Sequence, residues 1–422
     1  MKYRRLITAS LAASVAAIAL GAGQAQAAEG TPAPEAAPAD TAADDGATIL
    51  VTAKATRSAT TVTASEIQKL LPGISPLKAI QTLPGVFYVT ADPWGNNEQN
   101  AQLYIHGFSA SQLGYTMDDI PLGDQNYGNF NGLSPSRALI SENTARTVVA
   151  TGAGELGIAS TSNLGGAVQV YSRDPEARRG IDVSQTVGMY GTSRTFVRVD
   201  TGEFGGGNKL YLSGDRQRAR AWDFNGIQGG YQANGKFIHE DNVGKLTAYF
   251  AYSDKIEPNE DATVMSGSYR PATRPFTYPN FAAARSYVDA YGNTPSSQGS
   301  NYNNYYSDAQ RTDYLAYLKY DLNLGKRFKW SNQIYYHHND GVGVVAGPLG
   351  QSITVVQAYL DPNYSATATS GTAQRYASNG NGSAALVAAT GGSGYVIRTT
   401  EYRIMRKGVI STLQGDLGNH HV

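Results

Sequence analysis

The sequence predicts an exported chain in two parts, a compact α+β domain followed by an incomplete transmembrane antiparallel β-barrel with about eight strands present. Three observations carry this. The chain opens with an export signal, residues 54–178 hold short helices and strands punctuated by glycine, and period-two segments follow from residue 179, with connections that alternate between short and long.

Lys2, Arg4 and Arg5 precede an apolar run over residues 6–22, and Ala25-Gln26-Ala27 supplies a small-x-small cleavage site. That order is a secretory signal peptide over residues 1–27. A spanning helix needs about 20 strongly apolar residues, whereas this run is Ala-rich and broken by Thr8, Ser10 and Ser14. Its removal takes three of the 34 basic and none of the 34 acidic side chains. The remainder is weakly acidic and offers no basic patch to nucleic acid. The sequence has no Cys, which excludes a disulfide framework, a thiolate metal site and a Cys nucleophile.

Residues 28–47 are Ala, Pro, Thr, Asp and Glu with almost no large apolar side chain, the composition of a flexible tether. Thr48, Ile49, Leu50, Val51, Thr52 and Ala53 then form a β-prone apolar island. Such an island is suited to adding itself as a strand to a partner's sheet edge. In the α+β part, helices are expected over residues 65–71, with Ser65 as N-cap, and over 76–83. Strands are expected over 102–106, 114–117, 147–151 and 167–172.

Further on, Tyr314, Ala316, Leu318, Tyr320 and Leu322 alternate with Asp313, Lys319, Asp321 and Asn323, and Leu246, Ala248, Phe250 and Tyr252 alternate with Lys245, Thr247 and Ser253. A soluble sandwich gives the same alternation, so the connections decide. Strands at 181–190, 194–202, 208–218, 228–238, 245–254, 312–324, 328–339 and 404–415 leave odd connections of about 3, 9, 57 and 64 residues and even ones of about 5, 6 and 3. All long loops, near 255–311 and 340–403, fall on one side, the asymmetry of an outer-membrane barrel. Tyr190, Trp222, Trp330, Tyr335 and Tyr336 lie where interfacial girdles are expected.

Taken in order, several segments resemble one family. Residues 48–53 look like a TonB box, and Ile74-Ser75-Pro76-Leu77-Lys78-Ala79-Ile80-Gln81-Thr82-Leu83-Pro84-Gly85-Val86 like a plug's first helix and its stop. Tyr104-Ile105-His106-Gly107-Phe108, Met117-Asp118-Asp119-Ile120-Pro121 and Asn163-Leu164-Gly165-Gly166-Ala167-Val168-Gln169-Val170 resemble plug strands. The chain thus resembles the TonB-dependent receptors over nearly all of its mature length. His106 stands where the family usually has Arg, and Thr151-Gly152 where a basic residue often precedes Gly.

The resemblance implies a plug domain over 54–178 and the N-terminal part of the barrel over 179–422, in the cell outer membrane. It implies energy-coupled uptake of a scarce substrate, whether siderophore-iron, cobalamin or carbohydrate. TonB with its inner-membrane energising complex, outer-membrane lipid and a small-molecule substrate are the implied partners. No catalytic residue, cofactor or resident metal is implied. Asp124, Gln125, Asn126, Tyr127, Asn129, Phe130 and Asn131, amides and aromatics at the plug apex, are the expected substrate contacts. An eight-stranded closed barrel would be filled by side chains and could not hold a plug. The resemblance implies that the chain is part of a larger barrel, of about 22 strands.

Two rival readings stand beside this. Gly152-Ala153-Gly154-Glu155-Leu156-Gly157 has the spacing of a dinucleotide loop, which would make the chain an exported nucleotide-dependent oxidoreductase. The helix-breaking Ser160-Thr161-Ser162-Asn163 that follows argues against it. A passive porin-like channel is the other. The six His have no ligand spacing and are expected at polar strand or turn positions, while Glu257, Glu260 and Asp261 are read as a solvated outer loop and not a calcium site.

Overall fold

A computed structural model describes residues 59–90, 92–98, 101–123, 125, 132–152, 157–160, 162–220, 226–258, 307–325, 327–348 and 395–415. All of these lie in one unit, Ala53–Val422. The export signal, the tether, residues 48–53, all apex residues except Gln125, and Trp222, Glu260, Asp261, His420 and His421 lie outside them.

β1 (Ala59–Thr63) leads into α1 (Ala64–Ile67). The N-cap is Thr63 and not Ser65, because Glu66 sits three residues on and its Oε2 accepts from the Thr63 backbone N and Oγ1, both at 2.7 Å. α2 (Pro76–Ala79) is capped by Ser75, whose Oγ accepts from Leu77 N at 3.2 Å, with Pro76 preset for the first turn. It tightens into a 3₁₀ turn (Ile80–Thr82) that ends at Leu83, and Gly85, φ +76°, turns the chain into the next strand.

β2 (Val86–Val89), β3 (Gln102–Ile105) and β4 (Phe108–Ser109) form a small antiparallel sheet. β5 (Gly114–Met117), β6 (Ile120–Pro121), β7 (Thr144–Thr151) and β8 (Gly166–Ser172) join β1 in a second sheet of order β1-β7-β8-β5-β6. β5 and β6 turn through Asp118 and Asp119, both at positive φ, a conformation that Asp tolerates better than most residues. α3 (Pro135–Ala138) lies between β6 and β7.

The second part is one sheet of eight antiparallel strands in chain order: β9 (Arg179–Gly188), β10 (Thr192–Thr201), β11 (Asn208–Arg220), β12 (Ile227–Glu240), β13 (Gly244–Pro258), β14 (Ser307–Leu324), β15 (Phe328–Pro348) and β16 (Tyr395–Gly415). All eight expected strands form, and β14, β15 and β16 extend further toward the long connections than the alternation indicated. Among the described residues, β9 and β16 pair on one side only.

This sheet is inside out relative to a soluble one. Phe250, Leu318, Ile334, Val409 and Leu413 face outward and are exposed, while Ser253, Lys255, Arg311, Asp313 and Gln333 face the N-terminal domain and are buried. Tyr249, Ala251, Leu315 and Tyr317 of the sheet share one apolar cluster with Leu122, Leu133, Leu139 and Val168 of that domain. Tyr335 departs from the girdle expectation: it points inward and packs against this cluster, whereas its neighbour Tyr336 faces out.

Candidate functional site

The base of the apex loop is built by a pair of backbone bonds. Leu133 N donates to Leu122 O at 2.8 Å and Leu122 N to Tyr115 O at 2.9 Å, with both leucines fully buried. Gln125, the one described apex residue, spends its amide on closing this base: Nε2 donates to Gly123 O at 3.3 Å and Leu133 O at 3.0 Å. From β16, Arg406 Nη1 reaches Pro121 O at 3.3 Å. The large sheet thus grips the loop at its root.

Arg406 begins a continuous polar chain. Its Nε donates to His337 Nδ1 at 3.1 Å, and His337 Nε2 lies 3.0 Å from Asp313 Oδ1. Asp313 pairs through Oδ2 with Arg137 of α3, whose Nε lies 2.8 Å from Glu98 Oε1. Arg311 Nη1 lies 2.7 Å from Glu257, whose other oxygen accepts from Glu98 N at 2.7 Å. Arg137 is aimed by its short helix. Pro135 and the Ser134 cap fix the turn, and Gln232 and Lys255 hold Ser136 O from the sheet at 2.9 and 3.0 Å. Burial raises the Glu98 carboxyl, but Arg137 and Arg311 overcome this and hold it below the usual carboxylate range.

Lower down, Asp118 accepts from Ser172 N at 2.9 Å, Ser172 Oγ at 2.5 Å and Tyr317 OH at 2.8 Å. Asp118→Ala removes all three acceptor contacts and leaves buried donors unmade. It should cost about 2–3 kcal/mol in urea unfolding of the N-terminal domain. Asp118→Asn, which keeps one oxygen and tolerates the positive φ, should cost about half as much.

Asp174, between β8 and β9, lies 2.6 Å from Lys236 Nζ and 2.7 Å from Lys245 Nζ. Burial raises its carboxyl, but the two ammonium groups more than offset this and hold it at about 2, below the ordinary 3.8. A depressed carboxyl stabilises the fold above its unfolded value, and that stability is lost as pH falls through the folded value. Asp174→Asn should therefore flatten the fall in urea midpoint between about pH 4 and pH 2.

The dinucleotide reading fails on topology. β8 returns antiparallel to β7 after Gly152, whereas the dinucleotide unit needs a parallel strand reached through a helix. Glu257 is engaged by Arg311, and among the described residues no group of three metal-capable side chains converges. His337 lies at a polar strand position, as expected, and there bridges Asp313 and Arg406. Its partners lie 24 and 69 residues away, too far for any local pattern to show. Glu98, Arg137, Asp313 and Arg406 were missed for the same reason.

A small α+β domain is thus seated on the polar face of an eight-stranded antiparallel sheet whose other face is apolar, the arrangement of a plug domain with part of a barrel wall. The model of the TonB-dependent Receptor Plug Domain matches residues 52–167. The chain therefore carries the plug domain of TonB-dependent receptors, followed by a sheet resembling part of their barrel.

Among solved structures, the ferric-catecholate import receptor Fiu of E. coli K12 in its open form matches with a TM-score of 0.54 and 12% identity, over 86% of this chain and 46% of that one. FpvA of P. aeruginosa, bound to a heterologous pyoverdine and iron, matches with a TM-score of 0.52 and 15% identity, over 70% of this chain and 35% of that one. These likenesses concern the fold. The chain spans less than half the length of either receptor. No curated protein matches it.

Proposed function

We propose that this chain is the plug and N-terminal barrel part of an outer-membrane receptor that imports a small substrate by TonB-coupled transport. The observation that carries the reading is the plug domain held on the polar face of an apolar-outside sheet. On this reading residues 1–27 are the export signal, 28–47 the periplasmic tether, and 48–53 the TonB box. The segment that includes Asp124, Gln125, Asn126, Tyr127, Asn129, Phe130 and Asn131 meets the substrate. A ferric chelate is the first class to test, because solved receptors of this fold are described as importing or binding ferric catecholate and pyoverdine.

The path from the apex root through Arg406, His337 and Asp313 to Arg137 gives substrate a way to disturb the plug seat. In cells carrying the complete receptor, uptake of a ferric chelate should stop when the inner-membrane proton gradient is collapsed, while surface binding persists. Uptake that continues unchanged would favour a passive channel instead.

A further inference from the structure

The outward face of β14 shows where its apolar band ends. On β14 the outward side chains are Leu324, Leu322, Tyr320, Leu318, Ala316 and Tyr314, and the next is Thr312. Thr312 lies in a row that crosses every strand: Gln185, Thr195, Arg216, Tyr231, Asp254, Thr312, Asp340 and Arg403. The row is not level across the sheet, since the short-turn end lies six residues below it on β10, at Thr201, and twelve on β14, at Leu324; toward the long connections every strand runs past it.

At and above that row β11 turns three consecutive outward positions to arginine, Arg216, Arg218 and Arg220, all exposed. Such positions are spaced by about 7 Å. At the other end of the row Arg403 is paired, its Nε 2.7 Å from Asp340 Oδ1. The three arginines face no acid: their cross-strand partners are Thr195 and Ser193 on β10 and Tyr231, Gly229 and Ile227 on β12. Among the described residues none of the three makes an ion pair. The Arg216 guanidinium lies 5.5 Å from the Tyr231 ring centre. Gly229, at φ +151°, leaves bare backbone beside Arg218, where a Cβ would strike Gln217 O.

We propose that Arg216, Arg218 and Arg220 bind the phosphate of an anionic lipid headgroup in the outer leaflet. Guanidinium groups pair with phosphate oxygens in a two-pronged geometry, and the hydroxyl of Ser193 adds a donor beside them, whereas that of Thr195 is given to Gln185 Oε1 at 2.6 Å. Exposed Leu212 and Val197 lie directly below on the same face, where the acyl chains of that lipid run. A free phosphate has no use for those apolar neighbours, which is why a lipid is the occupant assigned.

The inference rests on the outer-membrane reading. The test uses the complete receptor, purified from outer membranes, stripped of lipid and titrated with phosphatidylglycerol or phosphatidylcholine in detergent. Phosphatidylglycerol should bind in preference and weaken about fivefold for each arginine changed to glutamine. The triple Arg→Lys variant, which keeps the charge and loses the fork, should lose part of the preference, and Arg403→Gln should leave it unchanged. Heat-modifiable migration on gels checks that each variant keeps its barrel.

Equal binding by the triple glutamine variant would overturn the proposal, as would displacement of the lipid by low millimolar inorganic phosphate, which would mark a free-anion site. Failure of the wild-type receptor to fractionate with the outer membrane would overturn both readings. Correct fractionation without lipid preference would overturn this one alone.

Discussion

Replacing Arg137 by methionine should weaken the seating of the plug by about 3–5 kcal/mol, the usual cost of removing one partner from a buried charge group. Arg137 touches Glu98 through Nε and Nη2, at 2.8 and 3.2 Å, as well as Asp313 and Gly132 O at 2.9 Å. The methionine variant leaves two carboxylates buried, with Arg311, His337 and Asn339 as their remaining partners. The barrel wall itself should persist, because its hydrogen-bond ladders do not involve Arg137. The expected signature is a receptor that inserts normally but admits large antibiotics, with a plug that unfolds at lower urea concentration. Adding Glu98→Gln and Asp313→Asn should restore part of the loss, since neutral partners no longer need the cation. A single variant that is as tight and as stable as wild type would remove the seat from this cluster.

Replacing Leu50 by proline in the complete receptor should abolish uptake while leaving substrate binding at the cell surface intact. Strand addition relies on main-chain donors, and proline removes one in the middle of residues 48–53. Proline also biases the preceding Ile49 toward extended backbone, so the conformation needed for pairing is not itself opposed. The loss then falls on the hydrogen-bonded partnership that transmits the pull. Radiolabelled uptake measured beside surface binding separates the two steps, and unchanged uptake would strip residues 48–53 of their role.

Much of the second part was legible because period two is a strong signal wherever one face meets a uniform environment. Tyr314 to Leu322 and Leu246 to Tyr252 lie on one face as the alternation required. The signal fades beyond the apolar band, and there the expectation stopped short. β15 continues from residue 339 to Pro348 and β16 starts at Tyr395, held by the ladder from Asp340↔Arg403 to Pro348↔Tyr395. In the first part β1, β2, β4, β6 and α3 were missed, because elements of two to five residues carry too little pattern to stand out.

By itself, then, the sequence determined the succession of strands in the second part, their alternating faces and the helix that begins at Pro76, all of which depend on residues a few positions apart. Alternation alone is the same for a soluble sandwich and a membrane wall, and the loop asymmetry pointed to the wall without showing what fills its interior. Tertiary structure decided that by laying the plug on the polar side. It also assembled Glu98, Arg137, Asp313, His337 and Arg406 into one buried chain. Arg137 lies 39 residues from Glu98 and 176 from Asp313. A charge can be buried only where partners from distant strands converge on it, and that convergence exists only once the plug and the wall are packed together.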